Sequence, residues 1–485
     1  MRARPTVAVL GAGAGGIAMG VSLKRAGFDF TIFEKSDGVG GTWRDNTFPG
    51  AACDVPSHLY SYSFEPNPWW SRTYATQPEI LAYLERCCDR YGVRPHVRTG
   101  TAIRQARWNA PTCTWELTAE SGERFSADVV VSGLGMLNVP HIPDLLGADR
   151  FRGRSFHSAR WDHSKSLAGE RVASIGTGAS AIQYVPAIAP EVEHLTVFQR
   201  SPVWVSPRID RAYTPEEQRR FARIPLAARR HRLGIWMTYQ RARFTIDAEQ
   251  TIALTEFARS YLARKIEDPD LRARLTPTHP VGCKRPLMSR DWYPALTRPN
   301  VTVVTEPIVE ITETGLRTAD GQVREADTII FGTGFRANEF LSTIEVIGEG
   351  GRRLHDDWAE GAEAYLGLSV AGYPNFFMLY GPNTNGVNSI LFFIEAQAHY
   401  VMSALRTMTV LRLGALDVRR RVMDRYNRRI QAAMVGTVWV AGCTNYFRAR
   451  SGKVVTQLPS SGARYWLRTR VFPFWRYRMR RRPRR

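Results

Sequence analysis

"TVAVLGAGAGGIAMGVSLKRAGFDFTIFEKS", Thr6 to Ser36, reads as strand, tight turn, helix, strand. Val7, Val9 and Leu10 make a short apolar strand. Gly11, Gly13 and Gly16 then give the spacing GxGxxG, and a helix carrying Ile17, Val21 and Leu23 runs to Gly27. A second strand, FTIFE, ends at Glu34. Each glycine has a physical reason. Gly11 makes the sharp turn, Gly13 lets backbone approach a pyrophosphate, and Gly16 lets helix and strand pack closely. The helix N-terminus faces the phosphates, and Glu34 can accept from both hydroxyls of a ribose. Soon after comes GVGGTW, Gly38 to Trp43. Glycine density there suits a loop passing close to a bulky, flat cofactor, which makes Gly41, Thr42 and Trp43 candidate contacts.

The same arrangement recurs. "RVASIGTGASAIQYVPAIA" is a strand, a GxGxxA turn at Gly176, Gly178 and Ala181, and a helix, with Thr177 and Ser180 in the turn. The next strand, HLTVFQRSP, carries Gln199, Arg200 and Ser201 where the first unit carried its acid. An acid there would repel a 2′-phosphate, whereas a neutral Gln followed by Arg accommodates one. The first site therefore favours FAD and the second NADPH. The expected fold is α/β, with two Rossmann-like dinucleotide-binding domains and a helical insertion in the second.

Expected boundaries follow from these units. Residues 1–145 are the first part of the FAD domain, and 146–330 the NADPH domain with an insertion at about 213–274. Residues 331–470 are the second part of the FAD domain, with READTIIFGTGF (Arg324 to Phe335) marking the return and Tyr365 to Pro382 supplying further strands. Residues 471–485 form a basic, disordered tail. The insertion opens on TPEEQRRF, with Thr214 as N-cap, Pro215 in the first turn and Glu217 at the capping-box position.

Bulk properties bound the rest. The 485 residues and 44% hydrophobic content fit a globular protein of two or three domains. No apolar run is long enough to span a membrane, and the glycine spacing of the N-terminus argues for a mature start rather than a signal peptide. Six cysteines show no CxxC or metal-ligand spacing, so no metal is expected and a reduced, cytoplasmic protein is the simple reading. The net charge is +21, and only six of the 66 basic residues are Lys. An Arg-favouring composition and an anionic partner both account for it. No nucleic-acid motif accompanies the charge. Phe472, Phe474 and Trp475 could bring the Arg-rich tail into weak peripheral contact with an anionic membrane.

Between the two turns lies FRGRSFHSARWD, too polar and broken for a core strand or a regular helix. Phe151, Gly153, His157, Trp161 and Asp162 match FxGxxxHxxxW[P/D]. This resembles the fingerprint of type I Baeyer–Villiger monooxygenases, a class of flavin-dependent monooxygenases. GGTW, FPGAACDVPSHLYSYSF (Phe48 to Phe64), FQRSP, KRP (Lys284 to Pro286) and FGTGF extend the resemblance over nearly the whole chain. CDVPSHLYSYSFEPNP is similar to the 4-hydroxyacetophenone monooxygenase branch. The resemblance implies that NADPH reduces FAD, that O2 adds at the flavin C4a position, and that the oxygenated flavin attacks a small-molecule ketone to give an ester or lactone. It implies Arg285 as the cation at the reacting oxygen, Asp54 as its partner, and Tyr60 beside flavin or substrate. Lys284 would hold the 2′-phosphate, and His157 would couple movement of the NADPH domain to the flavin. Sulfur or nitrogen oxygenation on the same scaffold is the alternative.

Overall fold

The computed structural model describes residues 4–241, 251–386, 388–440 and 442–482. Two parallel five-stranded sheets organise it. The first runs Phe376–Met378, Val129–Ser132, Val7–Leu10, Phe30–Phe33, Val97–Arg98. The four residues Val7–Leu10 and the four of Val129–Ser132 are buried throughout, as expected for strands covered on both faces. Strand order reverses between these two, and the GxGxxG turn emerges at that switch point, where open α/β sheets bind ligands. The second sheet runs Val301–Val304, His194–Phe198, Arg171–Ile175, Thr328–Phe331, Arg154–His157. Its own reversal lies beside Arg171–Ile175, the strand that feeds the GxGxxA turn.

Helix Ala14–Ala26 ends on Gly27 in the left-handed conformation, and its apolar face packs beneath the long helix Ile390–Leu411. One core surrounds the first sheet and includes Trp70, Tyr83 and Trp115. A second, around Tyr184, Trp292 and Leu195, belongs to the other sheet. The expected fold class thus holds. Between residues 215 and 275 the described chain forms four helices, Pro215–Arg223, Pro225–Arg241, Thr251–Lys265 and Pro269–Leu275. The capping box forms: Thr214 Oγ1 accepts from the Glu217 amide and Glu217 Oε2 accepts from the Thr214 amide.

Two expectations need correction, and a third is refined: the polar fingerprint segment is no core strand, but Arg154–His157 takes the edge of the second sheet by pairing with Thr328–Phe331. An edge position tolerates its polarity because one side of the strand stays near water. The chain beyond 471 is ordered through Arg482: Tyr477–Arg481 pairs antiparallel with Leu413–Val418. Phe472 and Tyr477 are buried there, so Phe472 is core and cannot serve a membrane. Finally, not all cysteines are free thiols. Cys283 and Cys443 form a disulfide across 160 residues, with Cα atoms 6.2 Å apart. A pair this remote leaves no spacing signal, which is why spacing alone points to a fully reduced chain.

Candidate active site

The first cradle is tightly built. Gly11 sits at φ +92°, and a Cβ on Gly16 would lie 1.9 Å from the Gly11 carbonyl oxygen. Gly13 caps helix Ala14–Ala26. Gly41, at φ +54°, leads into the short helix Thr42–Asp45 and lies so close that a Cβ on it would come within 2.9 Å of the Gly13 Cα. The two glycine loops therefore clamp each other. Glu34 is buried, and its two carboxylate oxygens accept from the amides of Ala12 (2.7 Å) and Ser36 (2.9 Å). Its remaining lone pairs are what a ribose could use. Trp43 donates its indole N–H to Tyr60 Oη at 2.9 Å, and burial pushes the Tyr60 phenol well above its ordinary pKa.

The second cradle is open. Gly176 takes φ +108° where a Cβ would strike the Gly332 carbonyl at 2.5 Å, but a Cβ on Gly178 would meet nothing within 4 Å. Helix Ala181–Ile188 starts here, and Ser180 at its N-cap makes no capping bond of its own. Thr177 Oγ1 donates to the Ser201 carbonyl at 3.4 Å. Lys284 donates to Ser201 Oγ at 2.7 Å. Its pKa is lowered by burial and by the charge of Arg200 nearby. Neither cation has a carboxylate partner among the described residues, so the pair makes a site for an anion. Gln199 differs from expectation. It is buried and donates to the Arg274 carbonyl at 2.8 Å, so its side chain is engaged within the protein rather than presented beside Arg200 and Lys284.

Between the cradles, Arg285 Nη2 donates to Asp54 Oδ2 at 2.5 Å. The two belong to different halves of the molecule, 231 residues apart. The Asp54 charge raises the guanidinium pKa still further. Burial pushes the Asp54 carboxyl up, but Arg285 more than reverses this and leaves it below the ordinary carboxylate value. The pair is therefore ionised across the working pH range. Cys283 adjoins Lys284 and Arg285, so its disulfide ties this loop to the segment carrying Tyr446, which lies beside Arg285.

The fingerprint residues scatter by role. His157 is buried, donates from Nε2 to the Gly334 carbonyl (2.9 Å) and accepts at Nδ1 from the Ala159 amide (3.0 Å). Those two bonds fix one neutral tautomer, and burial lowers the pKa. Trp161 packs against Phe156 and Tyr184 at ring distances of 5.2 and 5.5 Å. Phe151 packs on the second sheet's outer cluster. A Cβ on Gly153 would lie 2.3 Å from the Asp327 carbonyl. Asp162 accepts from the Ser164 amide at 2.9 Å and pairs with Arg154 at 3.4 Å. Among the described residues, no hydrogen bond, ion pair or ring contact joins any of these five to Arg285 or Asp54.

Sequence reasoning missed Arg208. It crosses from the second half to donate to the Cys53 carbonyl at 3.1 Å, lies over the Tyr74 ring at 4.7 Å, and adds positive charge at Asp54. One arginine among so many carries no motif of its own. Tyr380 and Tyr446, whose environments both register Arg285, were missed for the same reason.

The flavin-binding monooxygenase-like family matches residues 4–344, and the chain belongs to that family. Within it the chain is similar to Baeyer–Villiger monooxygenases. One from Streptomyces coelicolor is 45% identical over 96% of this chain and 90% of its own. Another from Pseudomonas aeruginosa is 44% identical over the same shares. The crystal structure of cyclohexanone monooxygenase from Rhodococcus sp. Phi1 bound to NADP+ superposes with a TM-score of 0.90, at 31% identity, over 98% of this chain and 99% of that one. Among the described residues, no helix is long and apolar enough to cross a membrane.

Proposed function

We propose that the protein converts a ketone, O2 and NADPH with a proton into an ester or lactone, NADP+ and water. The observation that carries this reading is the Arg285–Asp54 pair, a permanently charged guanidinium held between two dinucleotide cradles. FAD fits the first cradle: Gly11, Gly13, Gly16 and Gly41 leave backbone free to face a pyrophosphate, Glu34 a ribose, and Thr42 and Trp43 the entry side. NADPH fits the second, with Gly176, Gly178 and Ala181 at the pyrophosphate and Arg200, Ser201 and Lys284 at the 2′-phosphate.

When bound and reduced, the flavin supplies the oxygen-activating chemistry. Everything else falls to side chains. Arg285 holds positive charge where the attacked carbonyl develops negative charge, and a charge fixed in advance at that place lowers the barrier without further reorganisation. Asp54 aims the guanidinium and holds its planar fork toward the reacting centre. Tyr60, protonated because buried, can donate a hydrogen bond but does not ionise at neutral pH.

Arg285→Ala tests the reading. FAD content should be unchanged, NADPH oxidation should slow yet persist with release of hydrogen peroxide, and ester formation should fall ~10²–10³-fold. Arg285→Lys should recover only part, since it lacks the planar fork. Normal ester yield in Arg285→Ala would remove the residue from the mechanism. Products from a cyclic ketone and a sulfide, assayed side by side, separate ketone from heteroatom oxygenation.

A further inference from the structure

Most of the charge of +21 lies in one part of the chain. Residues 419–485 hold 19 Lys and Arg and a single acid, Asp424, a net of +18. The first 418 residues hold 47 basic and 44 acidic side chains, a net of +3. A general preference for arginine would raise both parts alike, so composition does not explain the asymmetry.

The folded C-terminal segment sets eight of these arginines on the exposed sides of two helices. Helix Arg420–Ala432 exposes Arg420, Arg421, Arg425, Arg428 and Arg429. Helix Gly462–Arg470 exposes Arg464, Arg468 and Arg470. Tyr365 joins the two neighbourhoods: its ring lies 5.5 Å from Tyr426 of the first helix, and its hydroxyl accepts from Arg476, just past the second. Arg419 Nε donates to the Trp475 carbonyl at 3.2 Å, closing the same face. Among the described residues, none of these exposed helix arginines has a carboxylate within 4.0 Å.

Apolar side chains are interleaved with this charge. Leu467 is 64% exposed, Val471 63%, Trp475 57% and Phe474 48%. Trp466 lies beneath the Arg470 guanidinium at 4.0 Å. Guanidinium groups without carboxylate partners, set around exposed Trp, Phe, Leu and Val, match a surface that is anionic at its edge and apolar just below. A nucleic acid offers the charge without an apolar layer to receive Leu467 and Val471, whereas a phospholipid bilayer offers both.

We propose that the face built from residues 419–432 and 462–482 docks the enzyme onto an anionic phospholipid bilayer. The side chains that enter are Leu467, Val471, Phe474 and Trp475, and the flanking arginines hold the headgroup phosphates. An apolar ketone that partitions into lipid would then be met at the membrane surface.

The test is co-sedimentation of the FAD-loaded full chain with phosphatidylcholine vesicles, with and without phosphatidylglycerol. Sedimentation should require phosphatidylglycerol and weaken as salt rises. Arg421→Gln with Arg425→Gln should lower the partition coefficient about fivefold per charge. Trp475→Ser should also lower it several-fold. Both variants should keep their flavin absorbance and their NADPH oxidation with a water-soluble ketone. Absence of sedimentation with anionic vesicles overturns the proposal. So does equal sedimentation with neutral vesicles, parental partitioning in the variants, or retention on duplex DNA by a protein that ignores vesicles.

Discussion

The two glycine turns share a spacing but not a construction. At Gly16 a single added carbon would lie 1.9 Å from a backbone oxygen, and a second glycine loop, at Gly41, presses on the first. At Gly178 the same added carbon would meet nothing within 4 Å. The acid of the first turn is buried and bound by two amides, while the cations of the second stand without a carboxylate partner among the described residues. A clamped cradle suits a resident group that never leaves. An open one with loose positive charge suits a co-substrate that must exchange at each turnover. Sequence spacing alone makes the two look equivalent; the packing around them does not.

The largest effect should come from breaking the clamp. Gly16→Ala places a methyl against the Gly11 carbonyl, and neither backbone can yield without moving strand Val7–Leu10 or helix Ala14–Ala26. Overpacking of this kind costs about 1–3 kcal/mol. The purified protein should be colourless or nearly so, with a lowered Tm. A yellow Gly16→Ala protein with parental flavin content would show that the clamp is not what retains the cofactor.

Next comes the charge of the open cradle. Arg200→Glu should raise KM for NADPH roughly thirtyfold, about 2 kcal/mol, because it removes one cation and sets an anion beside Lys284. Flavin content should not change. Unaltered NADPH kinetics would move the 2′-phosphate elsewhere.

The reach of the sequence follows the same division. Local order is legible: strand, turn, helix and acid fall within Val7 to Glu34, and the capping box at Thr214 and Glu217 needs only four residues. What depends on distant chain is not. The Cys283–Cys443 bond joins segments 160 residues apart. Arg208 reaches Cys53 from the other half. Gln199 sits where a ribose contact belongs by spacing, yet the carbonyl of Arg274, on a later helix, engages it within the protein. The ordered segment 477–481 looks like a tail in the sequence because its partner, Leu413–Val418, lies some sixty residues upstream and its own run of arginines masks the alternation. Arg285 and Asp54 are reached through the family resemblance, and no spacing rule joins two residues 231 positions apart by a hydrogen bond.

A smaller effect tests the join between the cradles. His157, at the end of the edge strand, makes one hydrogen bond to the Gly334 carbonyl and one to the nearby Ala159 amide, each worth about 1 kcal/mol. His157→Ala should retain FAD and NADPH binding yet lower the ester formed per NADPH consumed, with the difference appearing as hydrogen peroxide. The pH dependence has a definite sign. Burial lowers the folded pKa below that of the unfolded chain. The bond from the Ala159 amide to Nδ1 is therefore complete above the ordinary histidine value and is lost as pH falls through the lower folded value. Coupling in the parent should decline on that acid side, and His157→Ala should flatten the profile. Full coupling in the variant would leave the histidine a purely structural part.

The smallest effect is the most discriminating. Gly178→Ala adds a carbon where the protein has no atom to meet it, at a φ that does not require glycine. Stability should stay within about 0.5 kcal/mol of the parent, so Tm and flavin content should be unchanged. If that open space is where the dinucleotide backbone approaches, the methyl intrudes on the ligand alone and should cost about 1 kcal/mol, a fivefold rise in KM for NADPH. Arg200→Glu cannot make this distinction, since a charge acts at a distance. A methyl acts only on what it touches. Unchanged KM together with unchanged Tm would place the pyrophosphate away from Gly178, and the openness of the second cradle would then belong to solvent.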